Sequence, residues 1–335
     1  MADVLNNKIL TVTVAAYNAE EYLREVLDSF VGLRNMDMLE VFVVDDGGKD
    51  SSLDIAKEYE ARFPGIYHAV HKENGGWGST VNYSMRHASG KYFKILDGDD
   101  YYDKENTADL IDYLAKCDSD IVITPYATFE DGSYRVLNVI TPDSAYEEGK
   151  VYKLTEADKP FPLAMHSFTV KTRLLQDNDV QLKERCLYRD MEFTCKALTY
   201  GETIMFFNRP IYYYRLGREG QSVSKSSYIK HIDEHADIVY DILSASRLPQ
   251  NLNKRNLIYR LASEACTHQY NIYFYTSKTP EVKRKLIEYD NKIKAYPTFY
   301  KGLNIPVYIK ALRKTGFMGY KPVMSLLYVK RKALG

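Results

Sequence analysis

The segment Asp97-Gly98-Asp99-Asp100 contains the side chains best suited to chemistry in this sequence. Asp97 and Asp99 are two residues apart, and the glycine between them lets the backbone bend sharply. Mg²⁺ and Mn²⁺ prefer oxygen ligands, and an ion held by one or two carboxylates takes its other ligands from water and substrate phosphates. The segment is therefore a candidate metal site for a phosphate-bearing substrate. The alternative is an ordinary acidic turn in which Asp100 caps the next helix.

Two other polar turns carry candidate binding groups. Asp45 begins the turn 45–50 directly after an apolar run, where a carboxylate could accept a hydrogen bond from a base or a ribose, and plain turn formation is the alternative. The glycine-rich turn 74–78 would let a phosphate approach the backbone, and it opens a helix whose N-terminus favours anions. It lacks the Lys of a P-loop and the last Gly or Ala of a dinucleotide-binding fingerprint.

Strands and helices alternate around these turns. Four runs predict strands: 9–17, which is apolar and β-branched enough to be buried, and 41–44, 66–70 and 92–96. Asn18 and Glu21 follow the first run with the spacing of a helix capping box. The alternation predicts an α/β fold, with a mostly parallel sheet and helices on both faces. Ligands of such sheets bind at the carboxyl ends of the strands, where the three polar turns are expected.

The C-terminal part has a different composition. From residue 226 the pattern is mainly helical, and residues 291–335 contain ten Lys or Arg and no Asp or Glu. Such a basic stretch could lie on an anionic membrane surface, or it could be a solvated helix face that packs on the body. We therefore predict two regions, 1–225 and a helical, basic 226–335. His231 and His235, four residues apart on a predicted helix, are expected to be surface residues.

Length and composition exclude several classes of protein. The chain has 335 residues, 45% hydrophobic and 27% charged, which is typical of a folded globular protein. No signal peptide and no apolar run of about 18 residues is found, which predicts a cytoplasmic location, with peripheral contact at the inner face of the cell membrane if the basic region binds lipid. The four cysteines form no CxxC pair, which favours reduced thiols. We expect no nucleic-acid partner.

Five segments in this order resemble the motifs of bacterial-type family 2 glycosyltransferases, which have a GT-A fold. They are Val14–Asn18, Val44–Asp50, Asn74–Gly76 with Asn82, Ala88–Tyr92 and Leu96–Asp100. The resemblance is strong over residues 8–130 and weaker over 160–225. It implies a Rossmann-like nucleotide-diphospho-sugar transferase domain over 1–225, with a donor half at 8–130 and an acceptor or catalytic half at 131–225. The implied cofactor is Mn²⁺ or Mg²⁺, and the implied donor is a nucleotide-diphosphate sugar, expected to be UDP-linked.

The resemblance also assigns donor-site roles. Ala15 and Tyr17 would line the base pocket, Asp45 would bind the base, and Asp97 and Asp99 would handle the ribose and the metal. Arg215 would cover the diphosphate, although a salt bridge is an alternative for this side chain. A nearby segment, Ser222-Val-Ser224, is similar to the same family element near the diphosphate. The other residues assigned to the donor site are Asn18, Asn74, Gly76 and Gly98.

The segment Leu187–Glu192 resembles the part of the family that carries the catalytic base, which places that role on Asp190. An inverting transfer is one in-line displacement, so a carboxylate must take the proton of the acceptor hydroxyl while a metal stabilises the departing diphosphate. Asp190 also stands where a helix N-cap is expected. The sequence departs from the family at Arg189, where Glu is common, and at Val81, where Arg is common.

These observations lead to one main hypothesis and one alternative. The main hypothesis is an inverting, metal-dependent glycosyltransferase that acts on a polysaccharide or lipid-linked acceptor. The alternative is a non-catalytic nucleotide-sugar-binding module of a glycan assembly complex. A sugar-phosphate nucleotidyltransferase would carry a glycine-rich loop with Arg and Lys after the first strand, whereas residues 15–18 read Ala-Ala-Tyr-Asn.

Overall fold

The computed structural model describes residues 7–218, 225–249, 251–276 and 279–325. The chain divides into two compact units. The first unit comprises Met1–Glu219 and Asn251–Lys254, and the second comprises Gly220–Gln250 and Arg255–Gly335.

The first unit contains most of the secondary structure. Its strands are β1 (Leu10–Ala16), β2 (Leu39–Asp45), β3 (Tyr67–His71), β4 (Tyr92–Asp97), β5 (Tyr101–Tyr102), β6 (Ile121–Ile123), β7 (Tyr126–Glu130), β8 (Val136–Ile140), β9 (Tyr152–Lys153), β10 (Phe168–Lys171), β11 (Thr203–Phe206) and β12 (Tyr212–Leu216). Its helices are α1 (Glu20–Asp28), α2 (Ser52–Arg62), α3 (Trp77–His87), α4 (Lys104–Lys116), α5 (Thr172–Asp177) and α6 (Asp190–Tyr200). Short 3-10 helices occur at Met36–Met38, Leu154–Glu156 and Met165–Ser167.

The main sheet has eight strands in the order β3-β2-β1-β4-β10-β6-β11-β9. The pairings β3-β2, β2-β1, β1-β4 and β6-β11 are parallel, whereas β10 and β9 run antiparallel to their neighbours. Helices cover both faces of β1: its apolar side chains share a buried core with Leu23 and Leu27 of α1, and Thr13 is hydrogen-bonded through its hydroxyl to Ser84 of α3. The predicted α/β fold with a mostly parallel sheet is therefore confirmed.

A second sheet of four strands has the order β5-β12-β7-β8. Strand β5 begins directly after the turn 97–100. It pairs antiparallel with β12, and Tyr212 of β12 lies opposite Tyr102. The parallel pairing of β12 with β7 brings Tyr212 opposite Tyr126. This sheet therefore places the tyrosines of β12 beside the acidic turn.

The second unit is helical where it is described, which confirms the predicted helical C-terminal region. Its helices are α7 (Lys225–Lys230), α8 (Ile232–Ala245), α9 (Leu252–Tyr275, which starts in the first unit), α10 (Pro280–Ile293), α11 (Pro297–Gly302) and α12 (Val307–Lys314). None of the described helices is both long and apolar enough to cross a membrane. The surface prediction is wrong for His235, which is buried with its Nδ1 2.8 Å from Oε1 of Gln269 on α9.

Candidate functional site

The ends of three neighbouring strands build the candidate site. In the sheet register, Ala16 at the end of β1 is the partner of Asp45 on β2, and Ala15 is the partner of Asp97 on β4. The two predicted acidic turns therefore lie on opposite sides of the end of β1. This is the edge at which ligands of parallel sheets bind.

The turn after β1 is tied to the turn after β2. Asn18 has a left-handed backbone with φ of 49°, and its Oδ1 accepts a hydrogen bond of 2.8 Å from the amide of Lys49. The predicted capping box is wrong, because α1 begins after Ala19 with no side-chain cap, while Asn18 binds the neighbouring turn. Tyr17 is 56% exposed at this edge, where a base could pack on its ring.

Asp45 lies beneath these turns and is only 2% exposed. Its Oδ1 accepts a hydrogen bond of 3.0 Å from the amide of Gly48, and its Oδ2 lies 2.7 Å from Nδ1 of His71. A Cβ on Gly48 would stand 2.6 Å from Oδ1 of Asp45, which explains the glycine there. The contact of Asp45 with a base remains a prediction.

The glycine-rich turn has its amides engaged within the protein. The amides of Gly75 and Gly76 donate to the carboxylate of Asp46 at 2.9 and 2.8 Å. Asn74 is exposed at the edge of the turn. The donor-site roles predicted for Asn74 and Gly76 remain predictions, and the structure adds a role in the protein's own packing for the Gly76 amide.

Gly98 fits the acidic turn closely against β1. Its amide donates to the carbonyl of Ala15 at 3.0 Å, and a Cβ at this position would stand 2.7 Å from the same oxygen. Only glycine fits without movement of the backbone. The carboxylates on both sides of Gly98 are thereby held at the end of β1.

Asp97 and Asp100 are the carboxylates with the most altered acidity. Oδ1 of Asp97 accepts a hydrogen bond of 2.7 Å from Nε1 of Trp77, and burial together with the charge of Asp99 raises the pKa of Asp97 to about 7. Asp100 is 1% exposed and accepts hydrogen bonds from the hydroxyl of Tyr212 at 2.5 Å and from a backbone amide. Burial and the neighbouring carboxylates raise the pKa of Asp100 well above its usual range. Buried groups of this kind favour a bound cation.

A histidine joins these two carboxylates. Potential ligand atoms of Asp97, Asp100 and His166 all lie within 4.8 Å of one another. Burial, assisted by the charge of Lys94, lowers the pKa of His166 to about 3, so the ring is neutral, as a metal ligand must be. Its Nδ1 is buried without a hydrogen-bond partner among the described residues. Two carboxylates and an imidazole form a donor set that suits Mn²⁺.

Aromatic rings and a buried lysine fix the position of His166. The rings of Tyr126 and Tyr214 stack on it at centroid distances of 5.0 and 4.7 Å, and Tyr212 packs edge-on at 4.5 Å. Nζ of Lys94 donates to the carbonyl of His166 at 2.7 Å. Sequence reasoning missed His166, because no spacing relates it to the turn 97–100.

Asp99 forms an ion pair of 2.8 Å with Nε of Arg218. Asp97 and Asp99 were the predicted metal ligands, and the role of Asp99 stays a prediction; Asp100 and His166 are the further candidate ligands that lie beside Asp97. Of the two nearby arginines, Arg215 and Arg218, it is Arg218 whose side chain contacts a carboxylate of the acidic turn. Its side chain is about one-third exposed.

Arg215, predicted to cover a diphosphate, supports the turn from within the protein. Its Nη2 and Nη1 contact the carboxylates of Glu25 and Asp131 at 2.6 and 2.8 Å, and its Nε donates to the carbonyl of Asp99 at 2.6 Å. All three nitrogens of the guanidinium are therefore engaged, which corresponds to the salt-bridge alternative. The similar segment Ser222–Ser224 lies outside the described residues.

Asp190 is the first residue of α6, and Arg189 takes the N-cap position. Burial raises the pKa of Asp190, whereas hydrogen bonds from backbone amides at the helix start oppose this effect. The charge of Asp190 is one of the causes that raise the pKa of Asp97, so the two carboxylates are close enough to interact. Tyr188, two residues before Asp190, has a strained φ of 64°. A carboxylate with a raised pKa beside a candidate metal site is suited to accept a proton.

Comparisons with known proteins show which family and fold this chain resembles. Residues 11–173 match the family model described as Glycosyl transferase family 2. Two curated relatives are Glycosyltransferase GlyA of Streptococcus pneumoniae serotype 4, and Poly(ribitol-phosphate) beta-N-acetylglucosaminyltransferase TarS of Staphylococcus aureus. GlyA is 28% identical over 217 residues, which cover 62% of this chain and 30% of that protein. TarS is 27% identical over 228 residues, which cover 67% of this chain and 38% of that protein. The chain thus spans about a third of the length of these relatives.

A solved structure extends the likeness beyond the family model. The crystal structure of residues 1–349 of S. aureus TarS in complex with UDP-GlcNAc superposes with a TM-score of 0.62 at 23% identity. The match covers 91% of this chain and 83% of that one. At this identity the likeness shows a shared fold, which confirms the GT-A architecture predicted from the sequence.

Proposed function

Because the chain belongs to glycosyl transferase family 2, we propose that it transfers a sugar from a nucleotide-diphosphate sugar to an acceptor hydroxyl. The observation that carries the proposal is the cluster of Asp97, Asp100 and His166 at the end of β4, with Asp190 within electrostatic reach of it. This arrangement combines a cation site with a separate proton acceptor. An inverting displacement requires both.

The proposed donor is UDP-linked. A structure of the related TarS was solved with UDP-GlcNAc, and TarS is named as an N-acetylglucosaminyltransferase. Support comes from the position of Tyr17, which is exposed after the end of β1, and of Asp45, which ends β2, because ligands of parallel sheets bind at this edge. UDP-GlcNAc is therefore the first donor to test.

The proposed cofactor is Mn²⁺ or Mg²⁺. Asp97, Asp100 and His166 would hold the ion, and the ion would neutralise negative charge on the diphosphate leaving group. Arg218 is the candidate for direct contact with the phosphates, since its guanidinium is partly exposed and already lies beside Asp99. Arg215 keeps its internal contacts and supports the turn.

Asp190 is the proposed base. The acceptor oxygen would form a bond to the anomeric carbon and give its proton to Asp190, while the bond to the nucleoside diphosphate breaks and its electron pair leaves with the phosphate. Inversion at the anomeric carbon follows from this single displacement. The raised pKa of Asp190 increases its ability to hold the proton once it is transferred.

The proposed acceptor is a polysaccharide or a lipid-linked glycan, reached from the cytoplasmic side of a membrane. Support comes from exposed lysines and apolar residues near the end of the described part of the second unit, namely Val307, Lys310, Lys314, Met318 and Lys321. Val307 and Met318 are 81% and 78% exposed, and residues 291–335 contain no acidic side chain. Exposed apolar groups among lysines suit an anionic lipid surface. Residues 326–335 of the predicted basic region lie outside the described residues.

The test begins with donor binding and release of UDP. Calorimetry with UDP-GlcNAc should show binding that Mn²⁺ strengthens, and a coupled assay should show slow hydrolysis or transfer. The Asp190→Asn variant should bind the donor as well as the wild type and lose turnover by about 10²–10⁴-fold. Full activity of this variant would reject Asp190 as the base. Donor binding by the wild type without any turnover would favour the non-catalytic module.

Lipid binding is tested separately from the enzymatic proposal. The protein should float with vesicles that contain an anionic lipid and stay in solution with zwitterionic vesicles. If the protein binds neither kind of vesicle, the proposed membrane contact is rejected, and the proposed sugar transfer is unaffected.

A further inference from the structure

The glycine-rich turn 74–78 is anchored from below by Asp46, which is 3% exposed. Besides the amides of Gly75 and Gly76, the carboxylate of Asp46 accepts hydrogen bonds from Nζ of Lys72 at 2.8 Å and from the hydroxyl of Ser79 at 3.3 Å. Four donors on one buried carboxylate hold the turn in a single position. Its N–H groups therefore serve the protein's own structure.

The outer side of the same turn packs on the segment that leads to Asp190. The amide of Arg185 donates to the carbonyl of Gly75 at 2.6 Å. A Cβ on Gly76 would stand 3.2 Å from the backbone nitrogen of Arg185, and a Cβ on Gly78 would stand 2.5 Å from the carbonyl oxygen of Lys183. These glycines are explained by close backbone packing.

Asn82, one turn into α3, strengthens this contact. Its Nδ2 donates to the carbonyl of Leu182 at 2.8 Å, and its Oδ1 accepts from the amide of the same residue at 2.7 Å. The start of α3 and residues 182–185 are thus joined by backbone and side-chain hydrogen bonds. The segment before Asp190 takes its position from the glycine-rich turn.

Trp77 connects this assembly to the acidic turn. It is the first residue of α3, directly after Gly76, whose φ of 81° suits glycine. From this position its Nε1 donates to Oδ1 of Asp97 at 2.7 Å. Hydrogen bonds to a carboxylate that binds a metal orient its oxygens, and loss of such a bond commonly weakens metal binding.

We propose that Trp77 is a positioning residue, whose indole N–H orients the Asp97 carboxylate for the cation. The glycine-rich turn, which carries Trp77, is hydrogen-bonded to Asp46 and to the segment before Asp190. The same turn therefore helps to position both the proposed metal ligand Asp97 and the proposed base Asp190. The inference about metal binding rests on the proposed function, whereas the contact between Trp77 and Asp97 does not.

The contact is tested first in the metal-free protein. Trp77 is the only tryptophan of the chain, so its fluorescence reports this position alone. Asp97→Ala should shift the emission maximum, because it removes the acceptor of the indole N–H, and Tyr83→Phe, which leaves that acceptor in place, should not shift it. An unshifted spectrum of a folded Asp97→Ala protein, as judged by circular dichroism, would overturn the inference.

The consequence for metal is tested by calorimetric titration with Mn²⁺. Trp77→Phe keeps an aromatic ring without the N–H and should bind Mn²⁺ about tenfold more weakly or worse. Trp77→His, which keeps a ring N–H, should recover part of the loss. Tyr83→Phe, which removes one polar atom from the same helix, is the matched control and should bind as the wild type does.

Two outcomes separate this inference from the proposed function. Wild-type affinity in a folded Trp77→Phe protein would reject the positioning role and leave the metal site intact. If the wild type itself binds no Mn²⁺, the proposed cofactor and the effect of Trp77 on it both fail, and the emission spectra still decide whether the indole contact exists. Trp77→Phe should also cause no further shift in Mn²⁺ affinity in an Asp97→Ala background, which removes the acceptor of the indole N–H, since residues that act through one contact are not additive.

Discussion

The turns that follow β2 and β4 both place acidic residues at the end of a buried strand beside β1, yet their surroundings are opposite. Asp46 accepts hydrogen bonds from four donors, and Asp45 contacts the amide of Gly48 and the ring of His71. Asp97 accepts from the indole of Trp77, and Asp100 accepts from the hydroxyl of Tyr212 and one backbone amide. Both lie close to another carboxylate and to neutral His166, and both have raised pKa values.

This comparison separates a structural carboxylate from one that awaits a cation. A buried carboxylate supplied with N–H donors is stable as an anion and holds the backbone in place. Neighbouring buried carboxylates with few donors repel each other, and they are stabilised by a proton or a metal ion. Acidic residues at strand ends therefore differ in function according to the donors that surround them, which can be tested at each turn.

The largest effect is expected for Asp97→Asn. The variant removes a proposed ligand and one of the like charges, so metal-dependent transfer should fall by roughly 10²–10³-fold. The free energy of unfolding at pH 8 should stay the same or rise, because a repulsive buried charge is lost. Activity assays and chemical denaturation measure the two effects. A large loss of stability with normal metal binding would show that Asp97 is a structural carboxylate and not a metal ligand.

Asp46→Asn should show the opposite pattern. The amide cannot accept from all four donors, and buried N–H groups of Gly75 and Gly76 lose their anionic partner. We expect the free energy of unfolding to fall by about 2–3 kcal/mol. Metal affinity should fall less than in Asp97→Asn, since Asp46 contacts the site only through the turn that carries Trp77. A stable Asp46→Asn protein would show that its four hydrogen bonds do not hold the turn.

Much of the donor half could be predicted from the sequence because its signals are local. The runs before Asp45 and Asp97 are mostly apolar, which favours buried strands, and the polar turns follow them directly. Gly98 was predicted to let the backbone bend sharply, and the structure adds a close approach of this glycine to the carbonyl of Ala15. The family motifs lie in this contiguous part of the chain, so their order was informative.

The other half of the site depends on contacts between distant segments. His166 reaches Asp97 because β10 inserts antiparallel between β4 and β6, and no local pattern announces that insertion. Arg215 and Arg218 look equivalent in the sequence. The pairing of β12 directs Arg215 towards Glu25, whereas Arg218 follows the end of the strand and reaches Asp99. The predicted cap at Asn18 was wrong because its side chain found a tertiary partner, the amide of Lys49.

The smallest predicted effect is the contribution of Asp97 to the dependence of stability and metal affinity on pH. A carboxyl whose folded pKa is raised to about 7, as for Asp97, holds a proton between pH 4 and 7 that the unfolded chain has already released. The contribution of Asp97 to the free energy of unfolding of the metal-free protein should therefore fall as pH rises through this range. The rings of His166 and His235, whose pKa values burial lowers to about 3, contribute in the opposite direction, so the effect of Asp97 is read from the difference between the wild type and Asp97→Asn. Because Mn²⁺ must displace the same proton, its affinity should rise with pH up to about 7, by at most about tenfold per pH unit. Denaturation with a chelator present and calorimetric titrations at several pH values measure both slopes.

The Asp97→Asn protein should lose the contribution of Asp97 to each slope, and unchanged slopes in this variant would show that another group titrates.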